Sequence, residues 1–193
     1  MSRKVRIDPL VYPLWAFLLL AVPLKFLIGW LGAVICHEMG HITAQYILGG
    51  RPGMLCIGPT GAVIEGEDLG FCKNILCVMA GPVIGAFPVL FMRSFPEFAV
   101  CAFLLTAYNL IPLYPLDGGR GLRCLMEDLF CLKNADSVCK WTEISVIIFI
   151  IGFCLWAGFI HKLGIAPVIL ALLTVSKARC GKISCKEGNL RVQ

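Results

Sequence analysis

Long apolar runs separated by short polar stretches dominate this chain. A membrane-spanning helix needs about 20 mostly apolar residues. Runs of this kind predict six spans, at roughly 10–24, 26–48, 74–92, 98–113, 144–160 and 163–176. Gly and Pro interrupt residues 49–70 too often for a helix, and short apolar runs on either side of GPTG predict a β-hairpin there. The pattern predicts an all-α polytopic membrane protein with about six transmembrane helices and a small membrane-associated β-hairpin between the second and third helices.

The composition supports the membrane class. Hydrophobic residues make up 59% of the 193 residues and charged residues 15%, whereas a soluble domain carries about 25% charged residues. The length predicts one domain. The net charge of +5 does not require a nucleic acid partner, because basic loops determine the orientation of a membrane protein.

The distribution of basic residues predicts that orientation. With six spans and a cytoplasmic N-terminus, 14 of the 17 Lys and Arg residues fall on the cytoplasmic side. The three on the other side are Lys25, Arg93 and Lys162. This asymmetry follows the positive-inside rule and predicts a multi-pass protein of the cell membrane with both termini in the cytoplasm.

A cluster of ionisable residues lies inside the second apolar run. The string CHEMGH puts His37, Glu38 and His41 at membrane depth, where such groups cost roughly 3 kcal/mol or more each. Residues at i and i+4 share one helix face, so the two imidazoles can hold one metal ion. Glu38 points about 100° away from His37, where it can act as a general base. The alternative is a histidine pair that is hydrogen-bonded within a polar helix interface.

The predicted third metal ligand is Asp117, in the string YNLIPLYPLDGGR. A tetrahedral zinc that binds two histidines and a water lacks one protein ligand. Pro112 and Pro115 break the preceding helix, and the two glycines after Asp117 permit a close approach. Because the second and fourth predicted spans both end on the cytoplasmic side, the three ligands can meet at a similar depth. A compatible alternative is that Asp117 is the N-cap of a short helix at 117–132.

Asn109 lies eight residues before Asp117 in an apolar helix. A buried amide needs hydrogen-bond partners. Two explanations stay open for Asn109: contact with the substrate or an oxyanion, and pairing with backbone groups of the broken helix.

Other features have structural explanations. The eleven cysteines include no CxxC pair and are interpreted as buried thiols in a reducing compartment. Gly81 and Gly85 form a GxxxG motif, which is typical of closely packed membrane helices. His161, next to Lys162, is interpreted as a residue of the membrane interface.

Three motifs together carry a family resemblance. HEMGH at 37–41, AGP at 80–82 and NLIPLYPLDGG at 109–119 resemble the site-2 protease family of intramembrane zinc metalloproteases, and within it the small sporulation-type members. The resemblance covers roughly 5–125, which would be the protease core of a single domain over 1–193.

The resemblance implies a role for each motif residue. His37, His41 and Asp117 would bind one Zn²⁺ per chain, and Glu38 would be the catalytic base. Asn109 matches the asparagine that the family associates with substrate handling, and residues 54–65 match a membrane-inserted hairpin.

The resemblance also implies partners. The enzyme would cut membrane-associated proteins, such as a sigma-factor precursor or an anti-sigma factor, within the lipid bilayer, with membrane inhibitor or regulator proteins as further partners. Two other classes are a metal-binding membrane transporter or sensor, and an inactive relative that binds membrane helices. A transporter should show related halves and ionisable residues on several helices, and an inactive relative should lack some of the four chemical residues, all of which are present.

Overall fold

The chain is mostly helical and divides into two compact units, residues 1–110 and 111–193. The structure is a computed structural model. It describes residues 5–7, 12, 18–58, 61–66, 69–130 and 132–161. The predicted single domain over 1–193 stays a prediction.

Three helices form the body of the first unit. The elements of this unit are β1 (Val5–Ile7), α1 (Leu24–Ile47), β2 (Pro52–Gly58), β3 (Gly61–Gly66), α2 (Phe71–Ala86) and α3 (Pro96–Asn109). A 3-10 turn, Phe87–Phe91, continues α2. Helix α1 ends where Gly49 takes a φ of 87°, a left-handed conformation that glycine adopts without steric cost. The helices α1, α2 and α3 all pack against one another.

Small residues let the helices approach closely. Gly29, Ala33, His37 and Gly40 recur at helical spacing along the buried face of α1. A Cβ at Gly29 would lie 3.2 Å from the Cα of Phe98 in α3, and one at Gly40 would lie 2.6 Å from a carbonyl oxygen of α2. Close packing of this kind is typical of membrane helices, whose association depends on van der Waals contact. It places His37 within the three-helix interface.

An ion pair joins the N-terminal ends of α1 and α3. Lys25 Nζ donates a hydrogen bond of 2.9 Å to Glu97 Oε1. This hydrogen bond is the main reason why the pKa of the Glu97 carboxyl lies below its usual value. Both residues lie just outside the predicted apolar spans, at a depth where charged groups can remain hydrated.

The strands form one three-stranded sheet in the order β1-β2-β3. Strands β2 and β3 pair antiparallel, with Cys56 opposite Val63. Strand β1 pairs parallel with β2, with Arg6 opposite Cys56. The turn at residues 59–60 lies outside the described residues, and the membrane association of the hairpin stays a prediction.

The second unit contains α4 (Asp117–Leu129) and α5 (Leu132–His161). Arg123 of α4 donates hydrogen bonds to Glu127 at 2.8 Å and to Asp136 of α5 at 3.2 Å. These exposed pairs link the two helices at the surface. Helix α5 begins 12 residues before the apolar run predicted at 144–160, so that run lies in the C-terminal part of a longer helix.

Three helices in the described part of the chain are long and apolar enough to cross a membrane: Leu24–Ile47, Phe71–Phe91 and Asn134–Cys154. This supports an all-α membrane protein. Helix α3 has 14 residues and rises about 21 Å, less than the roughly 30 Å of a bilayer core. Seven of the 15 residues of the predicted first span and all of the sixth lie outside the described residues, so six spans stay a prediction.

Candidate metal centre

The two histidines of HEMGH face each other one turn apart on α1. The Nε2 atoms of His37 and His41 lie 3.3 Å apart. His37 is almost completely buried, with 2% of its surface exposed, and His41 is half-buried. The i, i+4 spacing predicted from the sequence therefore brings two ligand nitrogens together inside the helix interface.

A backbone carbonyl orients the second ring. His41 Nδ1 donates a hydrogen bond of 2.8 Å to the carbonyl oxygen of Cys77 in α2. In a neutral imidazole this leaves the lone pair of Nε2 available on the side that faces His37. A metal-binding histidine almost always donates its other ring N–H to a carbonyl or carboxylate in this way.

The rings occupy space that two glycines of α2 leave open. A Cβ at Gly81 would overlap the His41 ring, and one at Gly85 would lie 2.9 Å from Nδ1 of His37. We call these two positions the glycine groove. The GxxxG motif therefore does more than permit helix packing, because it makes room for both imidazoles.

Glu38 follows His37 in the same helix and is half-buried. As the adjacent residue it points about 100° around the helix, away from the line that joins the two histidines. It is not one of the side chains that converge as metal ligands within the described residues, and its role as a general base stays a prediction.

Asp117 is positioned by its own loop. It is the first residue of α4, is 7% exposed, and follows Leu116, which caps the helix without a side-chain hydrogen bond. The interpretation of Asp117 as N-cap is therefore wrong by one residue. Leu113 and Leu116 are fully buried, and a Cβ at Gly119 would overlap the backbone of Leu113. This tight loop restricts the backbone from which the Asp117 carboxylate extends.

One ligand atom each from His37, His41 and Asp117 lies within 4.8 Å of the other two. Two nitrogens that each lie about 2.05 Å from a tetrahedral zinc are about 3.3 Å apart, which matches the observed Nε2 separation of 3.3 Å. A donor set of two imidazoles and one carboxylate is that of catalytic zinc sites with an open position. The residues present therefore fit a zinc ion.

The structure locates other residues of interest but does not test their predicted roles. Asn109 is half-buried and is the last residue of α3, so its role with substrate stays a prediction. Cys36 is a free thiol outside the ligand group. Seven of the described cysteines are thiols rather than disulfides, and the reducing compartment stays a prediction.

Sequence reasoning missed three contributions to the site and its surroundings. The acceptor for His41 is a main-chain oxygen, which has no side-chain signature. The glycine groove was visible as a motif, but its contact with the histidines was not. Strand β1, at residues 5–7, was also missed because three residues are too few to show a period.

The chain is similar to known proteins in sequence and in fold. No protein-family model matches the chain. It is 25% identical to Stage IV sporulation protein FB of Bacillus subtilis (strain 168), over 90% of this chain and 64% of the relative. The chain thus spans about two thirds of that relative's length.

The fold is shared with a solved structure. Site-2 Protease from Methanocaldococcus jannaschii superposes with a TM-score of 0.71 at 16% identity, over 94% of this chain and 92% of that one. At this identity the likeness establishes the fold alone. Together with the sequence likeness and the three motifs, it supports the resemblance of this chain to the site-2 protease family.

Proposed function

We propose that this protein is a zinc-dependent intramembrane endopeptidase that hydrolyses peptide bonds of membrane-associated proteins. One observation carries the proposal: ligand atoms of two histidines and one aspartate converge within 4.8 Å. His37 and Asp117 are both more than 90% buried. Burying ionisable groups in a membrane protein costs free energy, so such groups typically mark a functional site.

Each residue of the site would have a defined task. His37, His41 and Asp117 would hold the zinc ion, which when bound supplies Lewis-acid polarisation of the scissile carbonyl and lowers the pKa of the attacking water. The Glu38 carboxylate would take a proton from that water and deliver it to the leaving amine nitrogen. The Cys77 carbonyl would keep the His41 proton on Nδ1. Asn109 would bind polar groups of the substrate near the end of α3.

The substrate must offer an extended segment. A membrane helix hides its carbonyls in its own hydrogen bonds, so it has to unwind before attack. Strand β3 is an outer strand of the described sheet, and an outer strand can accept an extended peptide by β-addition. The similarity to a sporulation protein supports a sporulation-type substrate, such as a sigma-factor precursor or an anti-sigma factor, with membrane regulator proteins as further partners.

The proposed setting is the cell membrane, with one protease domain over 1–193. Three described helices suited to crossing a membrane support a multi-pass protein. The asymmetry of basic residues supports six spans with both termini in the cytoplasm. This orientation would put the metal centre in the cytoplasmic half of the bilayer.

The test combines zinc content with cleavage. Wild type, His37→Ala and Glu38→Gln would be purified in detergent for metal analysis, and co-expressed with epitope-tagged single-span and amphipathic membrane proteins. We expect about one zinc per chain in wild type and in Glu38→Gln, and a large loss in His37→Ala. Of these three proteins, only wild type should cleave.

Glu127→Gln is the matched control, since Glu127 is an exposed glutamate paired with Arg123 on α4. It should keep both zinc and cleavage. Cleavage by Glu38→Gln at the wild-type rate would refute the assigned base. Equal zinc content in wild type and His37→Ala would refute the metal centre.

A further inference from the structure

Thr106 has a buried hydroxyl that lies at the edge of the metal centre. It belongs to α3 and is 9% exposed, and its Oγ1 has no hydrogen-bond partner among the described residues. A Cβ at Gly85 would lie 3.2 Å from this oxygen and 2.9 Å from Nδ1 of His37. The hydroxyl and the ring nitrogen therefore border the same open position of the glycine groove.

A buried hydroxyl without a partner needs an explanation. Leaving such a group unsatisfied costs free energy, whereas valine has nearly the same shape and carries no polar group. The hydrophobic cluster between α1 and α3 consists of Ala33, Cys101, Ala102 and Leu105, and two of these residues, Ala102 and Leu105, belong to the same helix as Thr106 and lie within four residues of it. If Thr106 served only to fill space, valine would fill it as well.

The proton on His37 supplies the explanation. His41 carries its proton on Nδ1, which it donates to Cys77, so Nε2 of neutral His41 accepts. Nε2 of His37 lies 3.3 Å from that acceptor, so without a metal ion a proton on Nε2 of His37 would be hydrogen-bonded there. Coordination through both Nε2 atoms requires that proton to reside on Nδ1 instead.

We propose that Thr106 is a positioning residue whose hydroxyl, directly or through one water, accepts the hydrogen bond from His37 Nδ1 and so stabilises the metal-binding tautomer. Thr106 would then do for His37 what the Cys77 carbonyl does for His41. The inference rests on the proposed metal centre. It assigns the role to a side chain that none of the three family motifs contains.

The test is the zinc affinity of Thr106→Val, measured by competition with a chromophoric chelator, with Zn²⁺ as the probe. Loss of a partner of this kind typically weakens metal binding 10–100-fold, and we expect a loss in that range. Thr106→Ser keeps the hydroxyl and should restore affinity close to wild type. Thr142→Val is the matched control, because the Thr142 hydroxyl bonds to the Val138 carbonyl of its own helix α5.

A second measurement separates positioning from a structural role. The thermal midpoint of metal-free Thr106→Val should equal or exceed that of wild type, since the change removes a buried hydroxyl without a partner. Zinc affinity equal to wild type in Thr106→Val, or a metal-free protein that is clearly less stable, overturns the inference. Absence of zinc binding by wild type overturns the proposed function and this inference together.

Discussion

Replacing Gly81 by alanine tests whether the glycine groove exists to hold the histidines. The new Cβ would overlap Nε2, Cε1 and Cδ2 of the His41 ring. Either the ring must rotate away, which breaks its hydrogen bond to Cys77, or α2 must move away from α1. Both responses displace Nε2 from its position opposite His37.

The cost can be estimated from the packing. Forcing an extra methyl group into a filled interface costs about 1–3 kcal/mol, and the lost hydrogen bond adds about 1 kcal/mol. If the packing cost is incurred when the ring takes its ligand position, that cost alone lowers zinc affinity roughly 5- to 150-fold, and the lost hydrogen bond lowers it by about a further fivefold, since 1.4 kcal/mol is a factor of ten. Gly85→Ala should have a smaller effect, because its Cβ would stay 2.9 Å from the nearest ring atom.

Chelator competition on detergent-purified variants measures this affinity, with helix content followed by circular dichroism. Two controls share the same chemical change. Gly152→Ala points into open space on α5, and the three atoms nearest to a Cβ at Gly40 are backbone atoms of Ala80 and Gly81 rather than ring atoms. Wild-type zinc affinity in Gly81→Ala would refute the reasoning. An equal loss in Gly40→Ala would attribute the effect to helix spacing rather than to the space for the ring.

Asp117→Asn should reduce zinc content, because a neutral amide replaces the one anionic ligand; unchanged zinc would remove Asp117 from the site. Gly119→Ala should lower both zinc content and thermal stability, since its Cβ would overlap the Leu113 backbone in the loop before Asp117; a variant that matches wild type would show that the loop can adapt. The Lys25–Glu97 pair should stabilise the protein above the unfolded-state pKa of the carboxyl and lose this effect as pH falls below about 4, because the folded-state pKa is depressed. Thermal midpoints of wild type and Glu97→Gln should therefore converge at low pH, and a constant difference from pH 7 to pH 3 would contradict this.

Local signals allowed the helices of the first unit to be predicted well. The run at 26–48 became Leu24–Ile47, because apolar length alone specifies a membrane helix. The apolar pattern predicts a fourth span that extends to residue 113, but α3 ends at Asn109. The proline at 112 restricts the backbone before it, so the last apolar residues of that predicted span form the loop that leads to Asp117.

Local sequence patterns likewise predict some residues of the site and not others. The histidine pair was predictable because i, i+4 geometry is local to one helix. Asp117 was predictable from composition, since a lone carboxylate between prolines and glycines is unusual in an apolar chain. The roles of Gly81, Gly85 and Thr106 were not predictable, because they depend on which helix faces lie together, and sequence periodicity does not specify that pairing.

The contact between His41 and Cys77 affects how mutational scans of this protein should be interpreted. The acceptor is a peptide oxygen, so Cys77→Ala or Cys77→Ser leaves it in place. Such a scan would record position 77 as tolerant, although the amide group there fixes the direction of an imidazole. Replacing the peptide bond after residue 77 with an ester would weaken that acceptor without altering any side chain.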